Sequence, residues 1–533
     1  MNRVFLPALL AALLSLSSAL GASVAEEPEN TAAREAAAGT AAPFARTEDR
    51  EPCSDYDPLR RPLFGDLHVH TGLSFDAAAQ DTRSTPAQAY DIARGKSMRI
   101  QPYDENGVGM RKIALDQPLD FASVTDHAEF LGEISRCSNP DAEGYGHPAC
   151  RLHRWDSKMG QLVFGGAGLS MKWRWDICGD GDCQAASASV WERLQEDAER
   201  AYDRSADCRF TSFPGYEWTA TVGRGRNVHH NVIFRNGHVP DRVMSWIETP
   251  SQEQLWDYLE QDCARDIEGC DGVAIPHNSN LSDGMIFETA ALETRDIPSE
   301  PVTREEAARR AYWNPLIEIM QHKGASECDS RIAVWAGDEY CDFELLPYNT
   351  FGTKNTGEDG EGLLYVLKQL FGGEEFRNVK PPGETSYVRY ALKKGLREQE
   401  RLGANSFKFG FIGSTDTHIA APGLAMEKNH PGHGGAGMGS GNGVPVGLPD
   451  ELEFNPGGLA VLYAEENSRD ALFAAMRRRE AYATSGTRPV LRFFGGWDYP
   501  QDLCESPDLV ETGYARGVPM GADLPATPPG GAK

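Results

Sequence analysis

Residues 62–76 read PLFGDLHVHTGLSFD. Leu63, Phe64, Leu67 and Val69 make an apolar approach to two histidines one residue apart, and a Gly/Ser turn then ends on an acid. In an extended strand residues i and i+2 face the same way, so His68 and His70 project together from the strand's end, where two imidazoles can share one metal ion. A lone His-x-His also arises by chance, so this reading depends on partners supplied elsewhere in the chain.

The chain repeats the same arrangement. Apolar runs at 119–124, 210–219, 272–276, 316–320 and 408–414 end in, or carry near their ends, His127, Glu217, His277, His322 and the Asp416-Thr417-His418 triplet. Between them, capping residues and periodicity predict helices over 85–94, 191–202, 253–263, 304–312, a charged stretch through about 401, and 468–479. The Gly223-Arg224-Gly225-Arg226 turn predicts a hairpin joining the run at 210–219 to the one that begins at His229-His230. Strand followed by helix, often after an insertion, argues for an α/β fold with a mainly parallel sheet, open or closed into a barrel. Either form gathers functional groups at the carboxyl ends of its strands.

His68, His70, Asp76, His127, Glu217, His277, His322, Asp416 and His418 occupy such positions. Side by side, these imidazoles and carboxylates would be costly to bury without a cation. Nitrogen and oxygen ligands without thiolates suit Zn, Mn or Fe, and this set is large enough for two or three divalent ions. Ions about 4 Å apart can generate a bridging hydroxide and hold both oxygens of a displacement, which is hydrolytic chemistry.

The 533 residues carry a formal net charge of −27, a field that repels nucleic acid and anionic lipid. Arg3, an apolar run from Val4, and small residues to Ala25 ahead of Glu26-Glu27 read as a secretory signal peptide over 1–25. A flexible leader over 26–52 follows, and a Pro/Gly-rich, disordered tail covers 513–533. The folded domain spans 53–512, with insertions near 132–185, 283–310 and 340–405; the first is loop-like. In an oxidising compartment cysteines pair, and among the eleven here the local candidates are Cys137 with Cys150, Cys178 with Cys183, Cys263 with Cys270, and Cys328 with Cys341. Cys53, Cys208 and Cys504 remain, and the odd total leaves a thiol over unless a bond forms between chains.

In their order, His68-x-His70 with Asp76, then Thr125-Asp126-His127, Glu217, His277, His322 and Asp416-x-His418, these motifs resemble the PHP (polymerase and histidinol phosphatase) superfamily of metal-dependent phosphoesterases, over roughly residues 62–420. The resemblance implies a distorted (β/α)7 TIM-like barrel with a trinuclear site. By position it gives His68, His70, Glu217 and Asp416 to one ion, and Glu217, His277 and His322 to a second. Asp76, His127 and His418 go to a third.

The expected function is an exported hydrolase, periplasmic or extracellular, acting on a small, anionic phosphate ester. Asp416, Glu217 and His418 are the catalytic candidates. Arg224, Arg226 and Lys323 are the candidates for the substrate anion, with solvated loop charges as the other reading. The alternatives are the same centre cleaving carboxyl, carbamate or sulfate esters, or a metal-binding protein without turnover. His229 and His230 have a structural or supporting role, or act as ligand or proton donor. His430 and His433 belong to loop decoration or a lid.

Overall fold

The computed structural model describes residues 43–155, 159–160, 162–169, 171–178, 183–222, 226–288, 302–345, 383–428, 430–433 and 455–529. The expected signal peptide, most of the leader, and parts of all three insertions lie outside these residues.

In chain order the strands are β1 (Arg61–Asp66), β2 (Met98–Tyr103), β3 (Gly109–Ile113), β4 (Phe121–Ser123), β5 (Thr211–Phe213), β6 (Gly215–Val222), β7 (Arg226–Phe234), β8 (Gly272–Pro276), β9 (Leu316–Gln321), β10 (Gly324–Ala325), β11 (Gly410–Gly413), β12 (Leu459–Ala464), β13 (Ala481–Thr484), β14 (Phe494–Gly495) and β15 (Val518–Pro519). The α-helices are α1 (Phe75–Ala79), α2 (Pro86–Ala93), α3 (Leu131–Ser138), α4 (Pro148–Trp155), α5 (Cys183–Ala201), α6 (Gln252–Tyr258), α7 (Arg304–Trp313), α8 (Val388–Leu402), α9 (Arg469–Arg478) and α10 (Leu509–Arg516).

The molecule is mixed α/β. One sheet has the order β13-β12-β1-β4-β5, in which β1, β4 and β5 run parallel while β12 is antiparallel to both its neighbours. The antiparallel β6-β7-β8 forms a second, and β10-β9-β11, with β9 and β11 parallel, a third. Single parallel bridges, Val69 with Thr417 and His127 with Glu217, tie the first sheet to the other two at the strand ends. β12, LAVLYA, is buried along its whole length, as a continuous apolar run should be when both faces are covered. Gly65 sits opposite Phe121 in register, and a Cβ there would come within 2.3 Å of the Phe121 ring. The close approach of β1 to β4 therefore requires glycine.

Local chemistry sets the helix starts. Thr85 with Gln88 and Thr303 with Glu306 form capping boxes at α2 and α7, and Ser468 caps α9. Three expectations need correction. The insertion at 132–185 is helical rather than loop-like, holding α3, α4 and the start of α5, and it is stapled by Cys137–Cys150 and Cys178–Cys183. Its Ala/Ser-rich approach to Trp191 lacks an apolar period, so helix periodicity does not reveal it. The leader is tied down from Arg46: Arg46 pairs with Glu466 at 3.0 Å, the Thr47 N–H donates to Asp470 at 2.7 Å, and Arg469 holds Glu48 at 2.8 Å. The tail is not disordered from Gly513, which lies inside α10, and β15 pairs with β14.

Disulfides join the four local cysteine pairs and also Cys53 to Cys208, leaving Cys504 free and exposed. Five such bonds fit an oxidising compartment. Among the described residues no helix is long and apolar enough to cross a membrane.

Candidate metal centre

The centre begins where β1 ends. The Asp66 carboxylate accepts from the backbone N–H of His68 (3.2 Å), Thr415 (3.1 Å) and Gly423 (2.8 Å) and from the Thr415 hydroxyl (2.6 Å), which fixes the exit of β1 against the exit of β11. Burial pushes this carboxyl up to about 6, against the pull of those hydrogen bonds. The Asp416 N–H then donates to the His68 carbonyl at 3.0 Å and the His70 N–H to that of Thr417 at 2.9 Å. Asp416 itself has φ +52°, a left-handed conformation that Asp tolerates better than most residues and that aims its carboxylate at the two histidines.

His68 Nε2 and His70 Nε2 lie 3.1 Å apart. Glu217 Oε2 is 3.3 Å from each, and Asp416 Oδ1 is 3.2 Å from His68 Nε2 and 3.1 Å from His70 Nε2. The outer ring nitrogens reveal the tautomers. His68 Nδ1 faces the Glu318 carboxylate at 3.1 Å, an acceptor alone, and therefore donates. His70 Nδ1 is 2.8 Å from Ser74 Oγ, whose own proton goes to Asp126 at 2.7 Å, so here too the ring donates. With one proton per ring, both Nε2 lone pairs face each other and two carboxylate oxygens. Acceptors held this close need a cation. The five contacts, at 3.1–3.3 Å, match the ligand-to-ligand distance of about 3.3 Å around an ion with bonds of about 2.0–2.1 Å.

Each central carboxylate reaches a second group through its other oxygen, or gathers two imidazoles on one. Glu217 Oε1 meets His277 Nε2 at 3.2 Å and His229 Nδ1 at 2.9 Å. Asp76 Oδ2 meets His127 Nε2 at 3.0 Å and His418 Nε2 at 2.9 Å. His418 Nδ1 donates to the Asp416 carbonyl at 3.0 Å, and His127 Nδ1 lies 2.5 Å from Thr219 Oγ1, which orients both rings on Asp76. Asp416 Oδ2 receives the Gln321 amide at 2.8 Å and the Lys323 ammonium, with His322 Nε2 at 3.5 Å.

All nine expected ligands are therefore buried and adjoin one another, but their grouping differs from the one the resemblance implies. His322 lies beside Asp416 and His418 rather than with Glu217 and His277, whose third neighbour is His229. Strand alternation separates the histidine pair. His229 faces the centre, whereas His230 turns into the core, where Asn314 donates to its Nε2 at 3.3 Å and Trp218 packs on its ring. His433 is buried with its ring 4.5 Å from that of His322, and its Nε2 donates to the Asn455 carbonyl at 2.9 Å; His430 packs on His433. Of the anion-binding candidates, Lys323 is at the centre on Asp416, Arg226 pairs with Asp283 at 3.1 Å, and Arg224 lies outside the described residues.

The sequence does not single out Glu318 and Ser74, which hold the ligand rings, or Thr219, and it shows Asp126 only as part of the Thr125-Asp126-His127 motif, without its role in orienting Ser74. Glu318 leaves one visible trace, an acid at an inward position of the otherwise apolar strand LIEIM.

Charge explains the protonation of the ion-free centre. Burial raises Glu217 and Asp76, but their imidazole neighbours hold both carboxyls well below the ordinary range, and His322, His68 and Lys323 do the same for Asp416. Burial lowers His70, yet hydrogen bonds and charge from Asp416 and Glu217 push it up to about 10; His68 rises well above its ordinary value against the same opposition. Protons there answer the same electrostatic demand that a cation would, and a bound ion displaces them.

A family profile described as "Protein of unknown function (DUF3604)" matches residues 57–532. Among solved structures the chain is similar to a two-domain protein from Bacteroides vulgatus containing a predicted PHP-like metal-dependent phosphoesterase. The identity is 12%, the coverage 83% of this chain and 69% of that chain, and the TM-score 0.33. No curated protein matches.

Proposed function

The chain belongs to this family of proteins of unknown function, and from that premise and the geometry of its buried centre we propose that it is an exported metal-dependent hydrolase of PHP type that cleaves phosphate esters. One observation carries the reading: His68 Nε2 and His70 Nε2 converge with Glu217 Oε2 and Asp416 Oδ1 at 3.1–3.3 Å, and Glu318 and Ser74 hold the outer ring nitrogens so that both inner lone pairs face that point once an ion has displaced the protons. The ordered motifs from His68 to His418 support PHP membership. The bridges joining the sheets at Val69 and at His127 support a distorted (β/α)7 barrel with these residues at its carboxyl end.

Divalent ions, when bound, supply a hydrolytic nucleophile at neutral pH and neutralise charge on the ester oxygens. The chain's own residues do the rest. Glu217 and Asp416, each with its two oxygens on different neighbours, set the spacing of the centre. Lys323, its ammonium on Asp416 Oδ2, is the cation placed to meet an anionic ester. His418, with Nδ1 committed to the Asp416 carbonyl, presents only Nε2 to the centre. Burial of the ligands excludes bulk water and strengthens each of these interactions.

The test is turnover by the mature protein, loaded separately with Mn, Zn or Fe, of chromogenic phosphomonoester, phosphodiester, sulfate and carboxyl-ester substrates. Metal-dependent turnover of a phosphate class, lost in a folded Asp416→Ala variant, is expected. Turnover of sulfate or carboxyl esters alone would replace the phosphoesterase reading. An Asp416→Ala variant that loses stability while the parent turns over nothing would leave a structural metal site.

A further inference from the structure

We propose that His229 is a metal ligand, and that with His277 Nε2 and Glu217 Oε1 it forms the coordination position of the centre that stays open to substrate; this rests on the metallohydrolase reading above. Three adjacent strands build the set. In the β6/β7 pairing Thr219 faces His229, so Glu217, two residues along the same face, lies diagonal to it. The His277 N–H donates to the His229 carbonyl at 3.2 Å, which brings the two histidines together across β7 and the end of β8. Their inner nitrogens reach the same carboxylate oxygen, His229 Nδ1 at 2.9 Å and His277 Nε2 at 3.2 Å. His229 Nε2 and His277 Nδ1 make no hydrogen bond, so neither ring is committed elsewhere.

The donor count distinguishes the positions. Around His68 and His70 stand both Glu217 Oε2 and Asp416 Oδ1, four donors in all, the number that a structural site uses. Two imidazoles and one carboxylate oxygen are three, the set that leaves a place for an exchangeable ligand and that suits Zn or Co. Glu217 connects them, one oxygen to each. His322, which the resemblance would place here, is instead on the Asp416 side. The open place is thus beside His229.

Cobalt(II) provides the test, with the full-length mature protein as the starting point and folding of each variant checked by circular dichroism. His229→Gln should hold one ion fewer than the parent by native mass spectrometry, or hold it at least tenfold more weakly in chelator competition. His229→Cys should restore the count and add a thiolate-to-cobalt charge-transfer band in the near-ultraviolet, beyond any contribution from Cys504 in the parent. A His229→Gln protein with the parent's ion count and affinities, together with a fully loaded His229→Cys protein lacking the band, would overturn the assignment. A parent protein that binds no cobalt, zinc or manganese would overturn the metal reading itself, and His229 with it.

Discussion

Glu318 shows how much a single side chain decides. It touches no ion position, yet its carboxylate takes the Nδ1 proton of His68 and so turns the Nε2 lone pair towards His70, Glu217 and Asp416. Glu318→Gln keeps the size and removes the charge, and an amide can present its N–H to the ring and favour the other tautomer. We expect metal affinity to fall about 10–100-fold while the fold is kept. Chelator competition measures it, and an unchanged affinity would show that His68 is oriented by packing alone. Most of the ligands were legible in the sequence because they stand just beyond a strand's end, as His68, His70, His127, His277, His322, Asp416 and His418 do. Glu318 was not, because it sits in mid-strand, where only the inward direction of its side chain gives it a role. His229 and His230 could not be told apart for a related reason: neighbours on a strand face opposite ways, and only the pairing of Thr219 with His229 fixes which one reaches the centre.

Among the elements, the strand and helix rhythm was legible wherever local chemistry dictates it: at the capping boxes of Thr85 and Thr303, and at the continuous apolar run of β8. Long-range pairing was not. Antiparallel β12 beside β1 and the helical insertion depend on contacts that no local pattern encodes. Two predictions belong here. Gly65→Ala drives a methyl group into the Phe121 ring, 2.3 Å away in the present backbone. Overpacking of this kind costs about 1–3 kcal/mol, readable as a lowered midpoint in urea unfolding, and a midpoint equal to the parent's would mean that β1 and β4 separate freely. Disulfides should matter according to the chain they close. Cys53–Cys208 spans 155 residues and Cys178–Cys183 only 5, so loss of the first pair to serine should destabilise more, within about 2–5 kcal/mol. The reverse order would point to native-state strain rather than loop closure as the controlling factor.

The molecule as a whole should reveal its centre through pH, because ion-free and ion-loaded protein respond with different slopes above neutrality. Without ions, His70 is raised to about 10, and His68 and His127 are raised as well. A raised folded value means stability that is fully present below the unfolded value, about 6.5, and is lost as pH climbs through the folded one. On the acid side the groups act in the other direction. Asp76, Glu217 and Asp416 are lowered, so the stability they contribute is present above about 4–4.5 and lost as pH falls. Burial holds His229, His153 and His430 down at about 4, so each must charge on unfolding below about 6.5, which also weakens the fold as pH falls. The ion-free protein should therefore be most stable near pH 6–7 and melt progressively lower from pH 7 to 10. Once ions replace the protons on His68 and His70, the alkaline loss should disappear, while acid, which protonates the ligands and releases the ions, becomes more damaging. Bound ions at about 100 times their dissociation constant add ~2.7 kcal/mol per site, enough to separate the two melting profiles. Thermal melts at intervals from pH 5 to 10, with and without a chelator, measure both slopes. Parallel profiles would mean that His68 and His70 do not exchange protons for metal, and the centre would lose the observation on which its reading stands.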